Sequence, residues 1–148
     1  GNRQDIILTL GKSIPILGIC LGMQGIVNSF GGKIIHAKDP MHGKISFLLH
    51  DEKGIYEKIP QNIEIMRYHS LVVDNETLPD CFDINGISQE NDNKNNILEI
   101  KQITPKCEIM AISHKIYPIY GIQYHPESFG SEGGIEILQN FLFNDNSA

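Results

Sequence analysis

The sequence lacks both a long apolar run and an excess of basic residues. A helix that crosses a bilayer needs about 20 predominantly apolar residues, and no segment approaches that length or has the pattern of a signal peptide. Lys and Arg number 12 against 18 Asp and Glu, a formal net charge of -6. No basic run is present that would neutralise a phosphate backbone. The sequence therefore predicts neither a membrane protein nor a nucleic-acid binder.

Cysteine is scarce as well. The chain has three, Cys20, Cys81 and Cys107, an odd number without the spacing of a metal site. This pattern predicts reduced thiols, a cytoplasmic location and no metal bound by this chain. Cys81 and Cys107 lie in no motif and are predicted to be structural. With 148 residues, 41% of them hydrophobic, positions 1–148 are predicted to form one domain with a buried core.

The stretch from Ile14 to Gly32 is the most informative part of the chain. Ile14 to Ile19 is a short apolar run with β-branched residues, which predicts a strand buried on both faces in a parallel sheet. From Leu21 the apolar positions recur at helical spacing, and the pair Gly31-Gly32 is a helix stop signal. Cys20 is therefore predicted to lie where a strand turns sharply into a helix.

A cysteine at such a turn is a candidate nucleophile. Gly18 and Gly22 permit a tight backbone there. The free N–H groups and the dipole at the start of a helix are expected to lower the pKa of the Cys20 thiol and to hold an oxyanion. The alternative is a buried core cysteine, the commoner role of a free cysteine. The turn alone does not decide between the two.

A second polar cluster follows another apolar strand, from Tyr120 to Ser128. Strand alternation places His125 and Glu127 on the same side, with Pro126 stiffening the backbone between them. A cysteine nucleophile needs a base, and the base needs an acceptor that orients it. Taken singly, His125 could be a core histidine and Glu127 a solvated acid. Together with the strand-to-helix turn, they indicate a catalytic triad of Cys20, His125 and Glu127.

These two segments resemble the signature motifs of a known family. Gly18 to Gln24 (GICLGMQ) and Gly121 to Glu127 (GIQYHPE) are similar to the motifs of class I, triad-type glutamine amidotransferases. Pro40 to Lys44 (PMHGK) and Arg67 to Val73 (RYHSLVV) resemble the glutaminase component of anthranilate synthase and its sister in aminodeoxychorismate synthase. The four motifs occur in order over most of the chain.

The resemblance implies an α/β fold with an open, mostly parallel, flavodoxin-like sheet and flanking helices. In the family a strand, a helix, a second strand and an oxyanion loop come before the position of Gly1. We therefore expect the N-terminal strands to be missing from this chain, together with half of the oxyanion hole. The Leu21 N–H would supply the other half.

The resemblance also implies a function. The family hydrolyses L-glutamine to glutamate and ammonia, and the ammonia passes to a chorismate-binding synthase subunit. No cofactor is expected in this chain, and Mg²⁺ is expected only in the synthase partner. Residues that match substrate contacts are Gln24, Ser70 and Leu71, and those that match the partner interface are His42 and Lys44. For Ser70, Leu71, His42 and Lys44, the alternative is that they belong to ordinary turns without a functional role.

Three other functions remain open from the sequence. The chain could be the aminodeoxychorismate synthase glutaminase of folate synthesis, or a γ-glutamyl hydrolase or peptidase of the same fold. It could also be a catalytically retired binding subunit that retains the triad. The motif PMHGK is not expected in a γ-glutamyl peptidase.

The remaining segments predict further elements of the α/β domain. Polar residues 89–96 are expected to form the exposed tip of a hairpin. The predicted elements are a short helix or irregular link at Ile6–Leu10, strands at Lys33–Ala37, Lys44–Leu49, Ile63–Met66, Phe82–Ile87, Ile97–Ile100 and Cys107–Ile112, and a terminal helix at Ile135–Phe143.

Overall fold

The computed structural model describes residues 7–37, 44–67, 71–89, 108–127 and 133–143. Two helices are present in these ranges, Leu21–Ser29 (α1) and Gly134–Phe143 (α2). Short 3₁₀ turns occupy Gly54–Tyr56 and Asn75–Thr77, and residues 7–10 are helical. The strands are Ile16–Ile19 (β1), Ile34–His36 (β2), Lys44–His50 (β3), Ile63–Arg67 (β4), Leu71–Val73 (β5), Phe82–Gln89 (β6), Ile109–His114 (β7) and Ile119–Ile122 (β8).

Six strands form one sheet in the order β1-β8-β7-β6-β3-β4, and β2 pairs with β5 in a separate ribbon. The predicted α/β class, an open sheet with flanking helices, is confirmed. The β1–β8 pair is parallel, whereas the other described pairs of the large sheet are antiparallel. The described part of the sheet thus contains more antiparallel pairing than the sequence predicted. The short link 115–118 between β7 and β8 suits antiparallel neighbours, while parallel strands need a long crossover.

The core lies on both faces of the sheet. Alternate residues of β1 and β8 point to opposite sides, so Ile16 and Ile119 pack towards α1 while Leu17 and Tyr120 pack towards α2. The α1 side is formed by Met23, Ile26, Val27, Val73, Phe82, Ile109, Ile112 and Ile119. The α2 side is formed by Leu48, Ile55, Tyr56, Ile59, Ile63, Ile65, Met110, Ala111, Ile122, Tyr124 and Ile137.

The first strand is less buried than expected. In β1 only Gly18 is fully buried, and Ile16, Leu17 and Ile19 are half-buried, because β1 is the outermost strand in the described order. The prediction of burial on both faces was wrong for these residues. The strand also begins two residues later than predicted, at Ile16, because Pro15 before it has no N–H to donate to a ladder.

Helix α1 begins and ends where the sequence indicated. A Cβ on Gly18 would lie 2.6 Å from the carbonyl carbon of Gly22 and 2.7 Å from Cδ1 of Ile26, so glycine allows α1 to pack directly on β1. At the other end, the Phe30 N–H donates to the Val27 carbonyl. Gly31 then has a φ of 96°, the left-handed conformation that typically ends a helix.

Most predicted elements that lie in the described ranges are confirmed, with boundaries that differ by one to three residues. Within these ranges no helix is both long enough and apolar enough to span a membrane. Predictions on the chain start, the polar hairpin tip, the strand at 97–100 and Cys107 fall outside the described residues.

Candidate active site

The parallel pairing of β1 and β8 brings the two predicted catalytic motifs to one edge of the sheet. Ile19 pairs with Ile122 in this register, and the Cys20 N–H donates to the Ile122 carbonyl over 2.7 Å. Both strands end at this pair. The residues that follow them, Cys20 and Gln123, therefore emerge side by side at the carboxyl ends of parallel strands, where ligand sites of α/β sheets lie.

Cys20 occupies a sharp turn between strand and helix. Its φ is 55° and its ψ is -105°, a conformation that non-glycine residues seldom adopt and that occurs at functional sites. The helix begins at the next residue, and its first internal hydrogen bond runs from the Gln24 N–H to the Cys20 carbonyl, 3.2 Å. The N–H groups of Leu21, Gly22 and Met23 have no partner within the helix. The predicted elbow is confirmed, and its N–H groups can stabilise an anion.

The electrostatics of the thiol differ from the expectation. Burial raises the pKa of Cys20 above its usual value, and the Glu127 carboxylate raises it further. Hydrogen bonds from the Leu21 N–H and the Gln123 side chain lower the pKa but do not compensate for the lost hydration. The expectation of a lowered pKa was wrong, because the partial burial of the sulfur outweighs the helix N-terminus. A thiol of this kind needs a base to ionise at neutral pH.

His125 and Glu127 form a pair, as predicted. The distance from His125 Nδ1 to Glu127 Oε1 is 2.8 Å, and 37% and 57% of their side-chain surfaces are exposed. The contact was predicted from strand alternation, and that reason was wrong. The strand β8 ends at Ile122, and residues 123–127 form bends and a turn. The turn brings the two side chains together. With Nδ1 held by the carboxylate, Nε2 is the nitrogen left to exchange a proton with a thiol.

The start of α2 packs directly on this turn. Gly134 faces the Pro126 carbonyl so closely that a Cβ on Gly134 would collide with it. Gly133, just before, has a φ of 68°. The two glycines thus let the helix support the backbone between His125 and Glu127.

Side-chain hydrogen bonds join His125 to Glu127 and Cys20 to Gln123. Among the described residues, none joins Cys20 to His125. In the absence of substrate, contacts between a nucleophile and its base are often long or poorly aligned. The complete triad therefore stays a prediction.

Gln24 lies at the centre of a chain of polar contacts. Its Nε2 donates to the Leu71 carbonyl, 3.3 Å, and to Gln123 Oε1, 3.4 Å. Gln123 Nε2 in turn donates to Cys20 Sγ, 3.7 Å. Two residues predicted to contact glutamine, Gln24 and Leu71, are therefore linked to the thiol.

Sequence reasoning missed Gln123. It is 1% exposed and lies between Ile122 and Tyr124, immediately before the predicted base. A single amide within an apolar run could have indicated this residue from the sequence. A buried polar side chain requires a hydrogen-bond partner, so such a glutamine is expected to contact another polar group.

The side chains of three other residues predicted to be functional lie outside the description. Ser70 and His42 lie outside the described residues. Lys44 begins β3 and pairs with Arg67, but its side chain is outside the description. The interface assignment of His42 and Lys44 and the substrate contact of Ser70 stay predictions.

Comparison with known proteins identifies the family. The sequence model of the family described as glutamine amidotransferase class-I matches residues 2–144, which include the turn at Cys20 and the His125–Glu127 pair. This chain belongs to the class I glutamine amidotransferases. The fold class and the four motifs agree with this assignment.

Curated relatives of this amidotransferase chain carry two kinds of name. Anthranilate synthase component 2 of Leptospira biflexa is 45% identical over 142 residues, which cover 96% of this chain and 65% of the relative. Aminodeoxychorismate synthase component 2 of Escherichia coli (strain K12) is 38% identical over 142 residues, covering 96% of this chain and 67% of the relative. The chain thus spans about two thirds of the length of each of these two relatives.

A solved structure supports the fold. A protein from Thermoplasma acidophilum, described as one of the subunits of a GMP synthase, aligns with a TM-score of 0.72 at 29% identity, covering 93% of this chain and 63% of the other. Similarity extends over nearly the whole of this amidotransferase chain, although the relatives differ in the synthase to which their names refer.

Proposed function

We propose that this amidotransferase chain is a glutaminase subunit, which hydrolyses L-glutamine to glutamate and ammonia. The observation that carries the proposal is the position of Cys20. It lies in a left-handed elbow at the N-terminus of α1, on the sheet edge that also bears the hydrogen-bonded His125–Glu127 pair. A nucleophile at a helix start beside an oriented imidazole is the arrangement that acyl transfer requires.

In the proposed reaction His125 takes the thiol proton as Cys20 Sγ attacks the side-chain amide carbon of glutamine. The developing oxyanion accepts a hydrogen bond from the Leu21 N–H. The amide C–N bond breaks, and His125 gives its proton to the departing nitrogen, which leaves as ammonia. His125 then activates a water that hydrolyses the glutamyl thioester to glutamate and restores the thiol. Glu127 keeps the imidazole in the required tautomer.

The substrate contacts proposed for Gln24, Ser70 and Leu71 follow the family motifs. The link from Gln24 Nε2 to the Leu71 carbonyl supports a common pocket wall for two of them. No metal or cofactor has a step in this mechanism, and any Mg²⁺ is proposed to belong to the partner.

The ammonia is proposed to pass to a chorismate-binding synthase subunit that makes anthranilate. The name of the Leptospira biflexa relative, anthranilate synthase component 2, supports this partner. Capture by a partner avoids losing ammonia to solvent, which gives a physical reason for activity that depends on assembly. His42 and Lys44 are proposed to contact that partner, and the cytoplasm is the proposed location.

The sister function is a second candidate. The Escherichia coli aminodeoxychorismate synthase component 2 also covers 96% of the chain, at 38% identity, and its name supports this second candidate. The two functions require the same chemistry of this chain and differ in the product of the partner.

The test is glutamate release from glutamine by this chain, alone and with a chorismate-binding synthase subunit plus chorismate. We expect release that the partner stimulates and that Cys20→Ser abolishes. Mass spectrometry of the product formed from chorismate separates anthranilate from aminodeoxychorismate.

Other outcomes would contradict the proposal. Cleavage of γ-glutamyl peptides without any partner effect would favour a γ-glutamyl hydrolase. Binding to the synthase subunit without glutamate release under either condition would favour a retired subunit.

A further inference from the structure

Gln123 is a buried polar side chain that the proposed mechanism does not use. It is 1% exposed and follows β8, where its N–H continues the pairing with β7 by donating to the Met110 carbonyl, 2.8 Å. The side chain of Gln123 extends towards Cys20. Burying an amide costs free energy unless it is hydrogen-bonded, so its contacts determine what it does.

The orientation of the Gln123 amide is set by a chain of contacts that starts at a backbone carbonyl. The Leu71 carbonyl can only accept, so the end of Gln24 that faces it at 3.3 Å is the NH₂ group. The same NH₂ faces Gln123 at 3.4 Å, which requires the amide oxygen of Gln123 there. The remaining group, the NH₂ of Gln123, is then the one 3.7 Å from Cys20 Sγ.

This arrangement presents a donor to the reacting atom. A thiol gains little from such a contact, whereas a thiolate gains a charge-assisted hydrogen bond. The sulfur has lost hydration through partial burial, and the Glu127 carboxylate opposes its ionisation. Among the groups that act on the sulfur, the Leu21 N–H and the Gln123 amide favour the charged form. The Gln123 amide belongs to a side chain, so a substitution can remove it without changing the backbone of the elbow.

We propose that Gln123 stabilises the Cys20 thiolate through its amide N–H, and that Gln24 and the Leu71 carbonyl hold the amide in the orientation that does so. This inference rests on the proposed function in taking Cys20 as the nucleophile. It assigns Gln123 a part in the chemistry of the site, and it gives Gln24 a positioning role in addition to its proposed substrate contact.

The test is the pH profile of Cys20 alkylation by iodoacetamide, followed peptide by peptide with mass spectrometry. Only the thiolate reacts, so the profile reports its stability whether or not the chain hydrolyses glutamine. Gln123→Met keeps the length of the side chain and removes the donor. We expect alkylation of Cys20 at pH 8 to slow about three- to tenfold and the profile to move to higher pH.

Gln123→Glu is a second variant of nearly the same shape. It places a carboxylate beside the sulfur, so we expect a larger slowing than in Gln123→Met. Gln24→Met removes the group that orients the Gln123 amide, and we expect a smaller slowing, about twofold to threefold.

Two controls separate this role from a general loosening of the fold. Cys81, the other free cysteine among the described residues, is an internal reference whose profile should not move. Asn85→Leu is the matched variant, because Asn85 is also a buried amide, 9% exposed, that donates to the Asp51 carboxylate. It should leave the Cys20 profile unchanged.

The proposal is wrong if the Cys20 profile is unchanged in both Gln123 variants while thermal melting shows them folded. It is also wrong if the Cys20 and Cys81 profiles move together. A shifted Cys20 profile in a chain that releases no glutamate would retain this role for Gln123 and reject the glutaminase proposal.

Discussion

Cys20 and Cys81 are both half-buried thiols, and in both cases burial raises the pKa above its usual value. Their surroundings differ. Cys20 has a φ of 55° and stands at the start of α1, with the Gln123 amide 3.7 Å away. Cys81 lies in the turn before β6 and packs at the margin of the apolar cluster around Phe82.

The difference shows that burial does not distinguish a nucleophile from a structural cysteine in this protein. What differs is the backbone position of each residue and the donors aimed at its sulfur. Around Cys81 the Lys115 charge lowers its pKa and the Asp80 charge raises it, and no base is paired with a carboxylate there among the described residues. We therefore expect changes near Cys20 to alter activity and changes near Cys81 to alter stability.

The strongest test of this contrast is to replace each thiol by a hydroxyl. Cys20→Ser is expected to lower glutamine hydrolysis by about 10³-fold or more, because a serine hydroxyl is a much weaker nucleophile with this base. Cys81→Ser should stay within about twofold of the unchanged chain. Steady-state glutamate release measures both. Equal losses in the two variants would refute the contrast.

Removing the charge of the carboxylate near each cysteine is expected to change kcat by a smaller factor than replacing the thiol, and only near Cys20. Glu127→Gln should lower kcat by about 10²-fold, since the third member of a triad orients the base without forming bonds. Asp80→Asn, the matched change beside Cys81, should leave kcat within about twofold. A Glu127→Gln variant with unchanged kcat would show that His125 does not depend on this hydrogen bond.

The two glycines on either side of Cys20 are expected to differ in how much an alanine substitution changes the free energy of unfolding. Gly18→Ala is expected to lose about 1–3 kcal/mol of unfolding free energy, because the new methyl group would overlap Gly22 and Ile26. A Cβ on Gly22 meets nothing within 4 Å. Gly22→Ala should therefore be neutral or gain up to about 1 kcal/mol from helix propensity. Urea unfolding measures both, and a Gly18→Ala variant as stable as Gly22→Ala would contradict the close packing.

The smallest expected effect is on the pH dependence of stability, and it arises from His114 near Cys81. His114 packs on Phe82, and its Nδ1 accepts hydrogen bonds from the N–H groups of Ile116 and Tyr117, both 3.0 Å. Burial lowers the pKa of His114, so the folded state favours the neutral imidazole over the charged one. Its contribution to stability is complete above about pH 6.5, the unfolded pKa. It is lost as the pH falls towards the lower folded pKa, because the unfolded state then binds the extra proton.

His114→Asn retains an acceptor without titrating in this range. The melting temperature of the unchanged chain should therefore fall more between pH 7.5 and pH 5.5 than that of His114→Asn. His50, whose pKa is also lowered by burial, remains in both proteins and acts in the same direction. Identical pH dependence in the two proteins would show that the folded state accepts protonation of His114 at no cost.

Local patterns in the sequence were sufficient for most of the described elements and for the position of Cys20 between β1 and α1. The change from β to helical spacing after Cys20 predicted the elbow, and Gly31-Gly32 predicted the end of α1, because these signals act over a few residues. The His125–Glu127 contact was also predictable, since two positions separate the residues. The alternation invoked for it was wrong, because β8 ends at Ile122 and a turn brings the side chains together.

The tertiary structure decided what depends on residues far apart in the chain. The register that sets Ile19 beside Ile122, the mixed pairing of the sheet and the contacts from Leu71 through Gln24 and Gln123 to Cys20 all join distant segments. The raised pKa of Cys20 is of the same kind, because desolvation is the sum of everything packed around the sulfur. The sequence by itself determined the elbow at Cys20 and indicated candidate residues for the chemistry. Only the folded structure decided how those residues face one another, because burial and register are properties of the whole sheet.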